Sequence, residues 1–179
     1  MIIQDNYQKT LLYAAVKHEA INQKIPGTSI TYVVHLSNVA MEVLIAGANS
    51  LDFDTNFAVQ VALLHDIIED TNTSFDEIES NFSFEIAKAV QALTKNDDLA
   101  KEIKLYDSLE RIKLQPKEVW AVKIADRITN LQKPPTHWSQ EKVESYFFES
   151  QEIQKALTGG NAFLEKRLAS KILEYKNYF

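Results

Sequence analysis

The sequence predicts an all-α protein, a single domain of about eight or more helices covering residues 1–179. Apolar residues recur with a helical period along almost every segment, and no stretch predicts a strand. Gly and Pro number only four each, so helix breakers are few and flexible linkers are not expected. Apolar residues make up 45% of the chain, which is enough to fill one compact core.

The first three helices follow from apolar spacing. Their marker positions are Leu11, Leu12 and Ala15 for the first helix, then Leu36, Val39, Val43 and Leu44 for the second. Gly47 ends the second helix, and residues 57–70 form the third.

Two serines predict the starts of the next helices. Ser74 is followed three residues later by Glu77, which is the pattern of a capping box. Ser83 caps another helix that runs to about Leu93.

The remaining helices are bounded by Asp, Pro, Ser and Gly. The sixth follows Asp97 and Asp98, and its apolar stripe is Leu99, Ile103, Tyr106 and Leu109. Pro116 is well suited to the first position of a helix that reaches about Leu131, after which "KPPTHWS" breaks the chain. Ser139 caps a helix that ends at Gly159-Gly160. The last helix has an apolar face made of Leu164, Leu168, Ile172 and Tyr175.

Charge and composition exclude several functions. Lys and Arg total 19 against 25 Asp and Glu, a net charge of −6, so no broad nucleic-acid surface is expected. The absence of Cys removes disulfides and thiolate catalysis. No apolar run approaches the ~20 residues of a membrane span, and the first residues do not resemble a signal peptide. A cytoplasmic protein is expected.

The segment "ALLHDIIEDTNTS" places one histidine and three acidic residues in an apolar helix, where burying them costs free energy. At ~100° per residue, His65, Asp66, Glu69 and Asp70 share an arc of about 140° on the predicted helix. Grouped acids repel one another and lose hydration unless a cation lies among them, and a divalent metal would serve. The alternative is a solvated acidic surface.

Two distant segments favour the metal. In "VWAVKIADRITNL", Asp126 lies on an apolar helix in one stripe with Lys123 and Asn130, and a buried carboxylate needs a cation or hydrogen-bond donors. The alternative partner is Arg127 or another arginine. In "TYVVHLSNVAMEV", His35 precedes an apolar helix, although a lone histidine there is more often a packed residue.

Together these residues offer two nitrogens and two oxygens. Such a mixture suits Mn²⁺, Fe²⁺ or Zn²⁺ better than Ca²⁺. A metal of this kind lowers the pKa of a water and polarises a phosphoryl oxygen, while a nearby carboxylate moves the proton.

The segments "VVHLSNVA", "ALLHDIIEDTNTS" and "VKIADRITNL" resemble the HD-superfamily hydrolase domain of RelA/SpoT homologues, particularly the stand-alone small alarmone hydrolases. The resemblance spans roughly residues 8–150. It implies an all-helical HD domain that binds one divalent ion, Mn²⁺ first and Fe²⁺ or Zn²⁺ next. The implied metal ligands are His35, His65, Asp66 and Asp126.

The resemblance also implies a reaction. An activated water attacks the 3′-diphosphate of guanosine tetra- or pentaphosphate, (p)ppGpp, releasing pyrophosphate and leaving GDP or GTP. Glu69 and Asp70 match the catalytic pair that positions or deprotonates this water.

Four further positions match substrate contacts of the family. Tyr32 would lie beside the nucleoside, Asn130 near the ribose or phosphate, Tyr146 at the far rim, and Lys24 against a phosphate. Tyr32 and Tyr146 are equally plausible as core aromatics, and Lys24 as a surface charge.

Some features depart from the family pattern. The loop "NQKIPGTSITY" has a single Lys and a Thr before Tyr32, and Leu36 stands where the family has Pro. The nucleotide therefore stays open: (p)ppApp and NADPH are alternative substrates, and a non-catalytic nucleotide sensor is an alternative function. The oligomeric state is also open. For His18 and His137 we expect structural roles.

Overall fold

The computed structural model describes residues 2–179, and its regular structure is almost entirely α-helical. The helices are α1 (Ile3–Ala20), α2 (Val33–Ala48), α3 (Thr55–Leu64), α4 (Ile67–Asp70), α5 (Phe75–Asn81), α6 (Phe84–Leu93), α7 (Lys101–Lys113), α8 (Lys117–Asn130), α9 (Gln140–Ala156) and α10 (Ala162–Tyr175). A 3₁₀ turn, Lys176–Tyr178, follows. The all-α prediction is confirmed.

Helix α3 lies at the centre of the bundle. It packs against α1, α2 and α8, and its residues from Val61 to Leu64 are fully buried. A helix surrounded on several sides must be apolar over most of its surface. This arrangement brings the ends of α2 and α3 and one side of α8 to the same region.

The three predicted serine caps are confirmed. Ser74, Ser83 and Ser139 each accept a hydrogen bond from a backbone N–H in the first turn of the helix that follows. Only half of the capping box forms, because the Glu77 carboxylate turns to α1 and accepts from the hydroxyl of Tyr13.

The prediction of one continuous helix over residues 57–70 is wrong. Helix α3 ends at Leu64, α4 begins at Ile67, and Asp66 has φ −103° and ψ 0°. The imidazole Nδ1 of His65 lies 2.7 Å from the carbonyl oxygen of Ala62, the group that a continuous helix would pair with the N–H of Asp66. The break turns both side chains toward one point.

Two predicted apolar faces are also wrong in detail. In α1 the buried residues are Thr10, Ala14 and His18, whereas Leu12 faces solvent. In α7, Leu109 is buried as predicted, but Ile103 and Tyr106 are exposed because the helix packs through its C-terminal half. Within residues 2–179 no helix has the length and apolar character needed to cross a bilayer.

Candidate active site

Three buried side chains from separate segments converge at the centre of the molecule. His35 comes from the first turn of α2, His65 from the end of α3, and Asp126 from the buried side of α8. The Nε2 atoms of the two histidines are 3.4 Å apart. Their distances to Asp126 Oδ1 are 3.5 Å and 3.6 Å.

This donor set fits a divalent cation. Three ligand atoms about 3.5 Å apart can surround one ion at roughly 2.0 to 2.1 Å, the usual metal–nitrogen distance. The ring orientation also fits, because Nδ1 of His65 faces the Ala62 carbonyl and must carry a proton to donate to it. The Nε2 lone pair of His65 is then free for a metal.

A carboxylate oxygen of Asp66 lies at the edge of this cluster. This atom, Oδ2, is 2.9 Å from Nε2 of His65 and 3.8 Å from Nε2 of His35. The same oxygen accepts a hydrogen bond from the Tyr32 hydroxyl. The Tyr32 ring packs between the imidazoles of His18 and His35, with centroid distances of 5.1 Å and 5.0 Å. Tyr32 therefore supports the cluster directly.

Asp126 is held by neighbours on its own helix. Lys123 Nζ lies 3.1 Å from Oδ2, and the side-chain amide of Asn130 donates to Oδ1 at 2.5 Å. The stripe of α8 predicted from the sequence is thus a hydrogen-bonded unit. Arg127, the alternative partner, pairs with Glu149 instead.

The electrostatics of the cluster favour added positive charge. Burial lowers the pKa of His65, but the Asp66 and Asp126 carboxylates outweigh burial and hold that pKa well above its usual value. Burial would raise the pKa of Asp126, yet Lys123 and the two imidazoles hold it well below its ordinary range. Two ionised carboxylates therefore attract either protons onto the imidazoles or a metal ion between them.

Glu69 and Asp70 project from α4 beside the cluster, and each has its own partner. Glu69 accepts from the backbone N–H of Lys95 at 3.0 Å and from its ammonium at 2.6 Å. Asp70 accepts from the Gln23 side-chain amide at 2.7 Å. Burial and the Asp66 charge raise the pKa of Asp70, which favours a group that can take up a proton.

A cavity of about 520 Å³ opens next to His35, large enough for a nucleotide. Helices α2, α8, α9 and α10 and the loops that follow α1 and α8 form its walls. Its lining includes His35, Asn130, Lys133, Trp138, Tyr146 and Arg167.

Asn130 and Tyr146 both line this cavity. Tyr146 packs edge-on against Trp138 at a centroid distance of 5.4 Å, and the Arg127 guanidinium stacks on its ring at 4.0 Å. Lys24 does not line the cavity. Its ammonium pairs with Glu19 at 3.6 Å, and its backbone forms an isolated bridge with Thr31.

The sequence did not reveal the cations that line this cavity. Lys133 follows α8 in an irregular loop, which periodicity cannot place. Arg167 lies in α10 and binds both carboxylate oxygens of Glu42. The one available signal was Glu42 itself, an acid inside the apolar stretch "VAMEVL", since a buried acid needs a cationic partner.

The two other histidines differ in placement. His18 is buried beside Tyr32, whereas His137 is exposed in the loop before α9.

An all-helical bundle with two histidines and an aspartate gathered from separate segments is the arrangement of an HD domain. Residues 11–158 match the family model described as HD domain, and the chain belongs to this family. The membership predicted from the sequence is confirmed.

Individual relatives are similar over nearly the whole chain. Guanosine-3′,5′-bis(diphosphate) 3′-pyrophosphohydrolase MESH1 of Danio rerio is 34% identical over 171 residues, covering 93% of this chain and 92% of the relative. The Homo sapiens protein of the same name is 34% identical over 168 residues, with 87% of each chain covered. A solved structure described as a metazoan ortholog of SpoT that hydrolyzes ppGpp superposes with a TM-score of 0.80 at 30% identity, covering 97% of both chains.

Proposed function

We propose that this chain is a metal-dependent guanosine-3′,5′-bis(diphosphate) 3′-pyrophosphohydrolase, and that residues 1–179 act as one catalytic domain. The observation that carries the proposal is the convergence of His35, His65 and Asp126 beside a nucleotide-sized cavity. The relatives named for this activity are similar to this chain along most of their length, which supports the same reaction here.

The metal ligands in this proposal are His35, His65, Asp66 and Asp126, and Mn²⁺ is the ion we expect, with Fe²⁺ or Zn²⁺ as alternatives. A bound divalent ion would supply a water of lowered pKa and polarise a phosphoryl oxygen of the substrate. The protein positions these ligands through Tyr32, Asn130 and the Ala62 carbonyl, so they need little rearrangement.

The carboxylates of α4 handle the proton. Asp70 accepts the proton of the attacking water as the oxygen–phosphorus bond forms, and Gln23 keeps its carboxylate oriented. The bond between phosphorus and the ribose 3′ oxygen breaks, pyrophosphate leaves, and the 3′ oxygen becomes a hydroxyl by taking up the proton that Asp70 received, directly or through solvent. Glu69 orients the water from the opposite edge while Lys95 fixes its side chain.

The cavity receives the remainder of the nucleotide. Asn130 contacts the ribose or phosphate nearest the metal, and Tyr146 contacts the nucleoside from the far wall. Lys133 supplies positive charge for the 5′ phosphates, whereas an Arg167 contact requires its bonds to Glu42 to open. Contacts from Tyr32 to the nucleoside and from Lys24 to a phosphate also belong to the proposal, although a Lys24 contact requires its pair with Glu19 to open.

The natural partner is thus a free nucleotide in the cytoplasm, not a nucleic acid, which agrees with the net charge of −6.

The product mixture tests the proposal. Protein loaded with Mn²⁺ and incubated with ppGpp should release GDP and pyrophosphate in equal amounts. Release of orthophosphate would instead identify a phosphatase acting on a substrate such as NADPH, and faster turnover of ppApp would reassign the base.

A paired variant separates an enzyme from a nucleotide sensor. Glu69→Gln combined with Asp70→Asn should keep the bound metal, measured by elemental analysis, and lose turnover. A parent protein that binds ppGpp but yields no product would identify the sensor.

A further inference from the structure

A buried histidine outside the cluster of His35, His65 and Asp126 is linked to Asp70, the proposed catalytic base. His18 lies in the last turn of α1 and is 1% exposed. Its Nδ1 is 2.5 Å from Oε1 of Gln23, and Nε2 of Gln23 donates to Oδ2 of Asp70 at 2.7 Å. A chain of two hydrogen bonds therefore runs from α1 to α4.

The chemistry of the groups fixes the direction of both bonds. An ionised carboxylate only accepts, so the Gln23 amide presents its NH₂ to Asp70 and its oxygen to His18. That oxygen also only accepts, so Nδ1 of His18 carries the proton. The Nε2 atom of His18, which is buried without a hydrogen-bond partner within residues 2–179, then carries the lone pair. Burial lowers the pKa of His18, so the ring is neutral with its single proton on Nδ1.

The hydrogen bond from Gln23 holds the Asp70 carboxylate in place against repulsion from neighbouring acids. This carboxylate lies near the negative charges of Asp66 and Glu69, and an unsupported side chain would swing away from them. A lysine partner would hold Asp70 but compete with the water for its charge. A neutral amide holds the carboxylate in place and leaves one oxygen available to take a proton.

His18 supplies the rigidity that Gln23 lacks. A glutamine side chain has three rotatable bonds and can present either end of its amide. The donor at Nδ1 of His18 selects one orientation, and the His18 ring is itself fixed against Tyr32. Because the Tyr32 hydroxyl donates to Asp66, His18 supports two acids of the same segment.

We propose that His18 is a positioning residue for hydrolysis and acts through Gln23 to orient Asp70. The inference rests on the proposed function, in which Asp70 receives the proton of the attacking water. It predicts a loss in kcat with little change in KM, since Asp70 works on the water and not on binding the nucleotide.

Two substitutions at His18 separate a hydrogen-bonding role from a packing role. Asn places its NH₂ two bonds from Cβ, where Nδ1 lies in His, so His18→Asn keeps the donor but loses the ring. His18→Phe keeps the ring against Tyr32 and loses the donor. We expect His18→Phe and Gln23→Met to lower kcat by roughly 10- to 100-fold, the range typical of residues that orient ligands and catalytic groups. His18→Asn should retain most of the parent kcat, with KM within about twofold in all three.

The matched control comes from the same helix. Tyr13→Phe removes a hydrogen bond of similar length, from Tyr13 to Glu77, without touching Asp70, and should leave kcat unchanged. Metal content is measured for every variant. The inference is overturned if His18→Phe is active while His18→Asn is not, or if kcat falls only in proportion to lost metal.

Failure of the proposed function has a separate signature. If the parent protein forms no GDP and pyrophosphate from ppGpp, the reaction assignment fails while the hydrogen-bond chain can still be judged. The ¹⁵N NMR spectrum of the imidazole should place the His18 proton on Nδ1, and a proton on Nε2 would overturn the inference whatever the activity.

Discussion

Removing the metal should lower thermal stability by a predictable amount. The proposed ligands come from α2, the α3–α4 break and α8, so a bound ion would link three segments that are far apart in sequence. An ion present at 100 times its dissociation constant stabilises the folded state by about 2.7 kcal/mol. With an unfolding entropy of about 2.1 cal/mol/K per residue, the 179 residues give about 0.38 kcal/mol/K. Chelation should then lower Tm by about 7 °C.

Scanning calorimetry with and without EDTA measures this shift directly. His65→Ala provides the control, because a variant that binds no ion should melt at one temperature under both conditions. Restoring Mn²⁺ to the chelated parent should restore its Tm. An unchanged Tm for a parent that elemental analysis shows to be loaded and then stripped would refute the idea that an ion joins these segments.

Three further outcomes follow from contacts described above. Lys133→Ala should raise KM for ppGpp roughly tenfold by removing a charged phosphate contact, whereas Lys24→Ala should change KM less than about twofold if its ion pair stays closed, as steady-state kinetics will show. Gly47→Ala should destabilise the fold by about 1 to 3 kcal/mol in urea denaturation, since the added Cβ would lie 2.1 Å from Oγ1 of Thr55. Lys17 and Tyr13 on α1 donate hydrogen bonds to the Glu77 carboxylate and lower its pKa below the ordinary value of 4.5. The contribution of the ionised carboxylate to stability is therefore present above that pH and disappears as the carboxylate is protonated in acid. Glu77→Gln should therefore be less stable than the parent at neutral pH and equal to it in strong acid, and equal stability at pH 7 would contradict this linkage.

The convergence of His35, His65 and Asp126 could be predicted from sequence because these side chains are conspicuous. His65, Asp66 and Asp126 are polar side chains inside apolar helices, and a buried polar group needs a partner. The helix break after Leu64 could not be predicted, since it depends on an imidazole that replaces a backbone N–H at the Ala62 carbonyl. Helical periodicity in a sequence reflects regular segments, so it does not reveal a side chain that takes the place of one backbone hydrogen-bond donor.

The cavity wall was harder to predict for a different reason. Lys24 was favoured because it lies in the expected loop, yet its position beside Glu19 depends on how that loop folds back on itself. Lys133 and Arg167 reach the cavity only because α8 and α10 pack around α2, which is a property of the tertiary structure. Likewise, the exposure of Tyr106 follows from which half of α7 meets its neighbours.

The bond between Arg167 and Glu42 joins α10 to α2, so one wall of the cavity depends on a helix that carries none of the proposed metal ligands. The cation comes from α10, beyond residue 158, where the match to the HD family ends. A substitution in α10 can reshape the part of the cavity that Arg167 lines while His35, His65 and Asp126 are kept. Relatives with an unaltered HD signature can thus diverge in the nucleotides they accept, and comparison of their last helices is the place to look for that divergence.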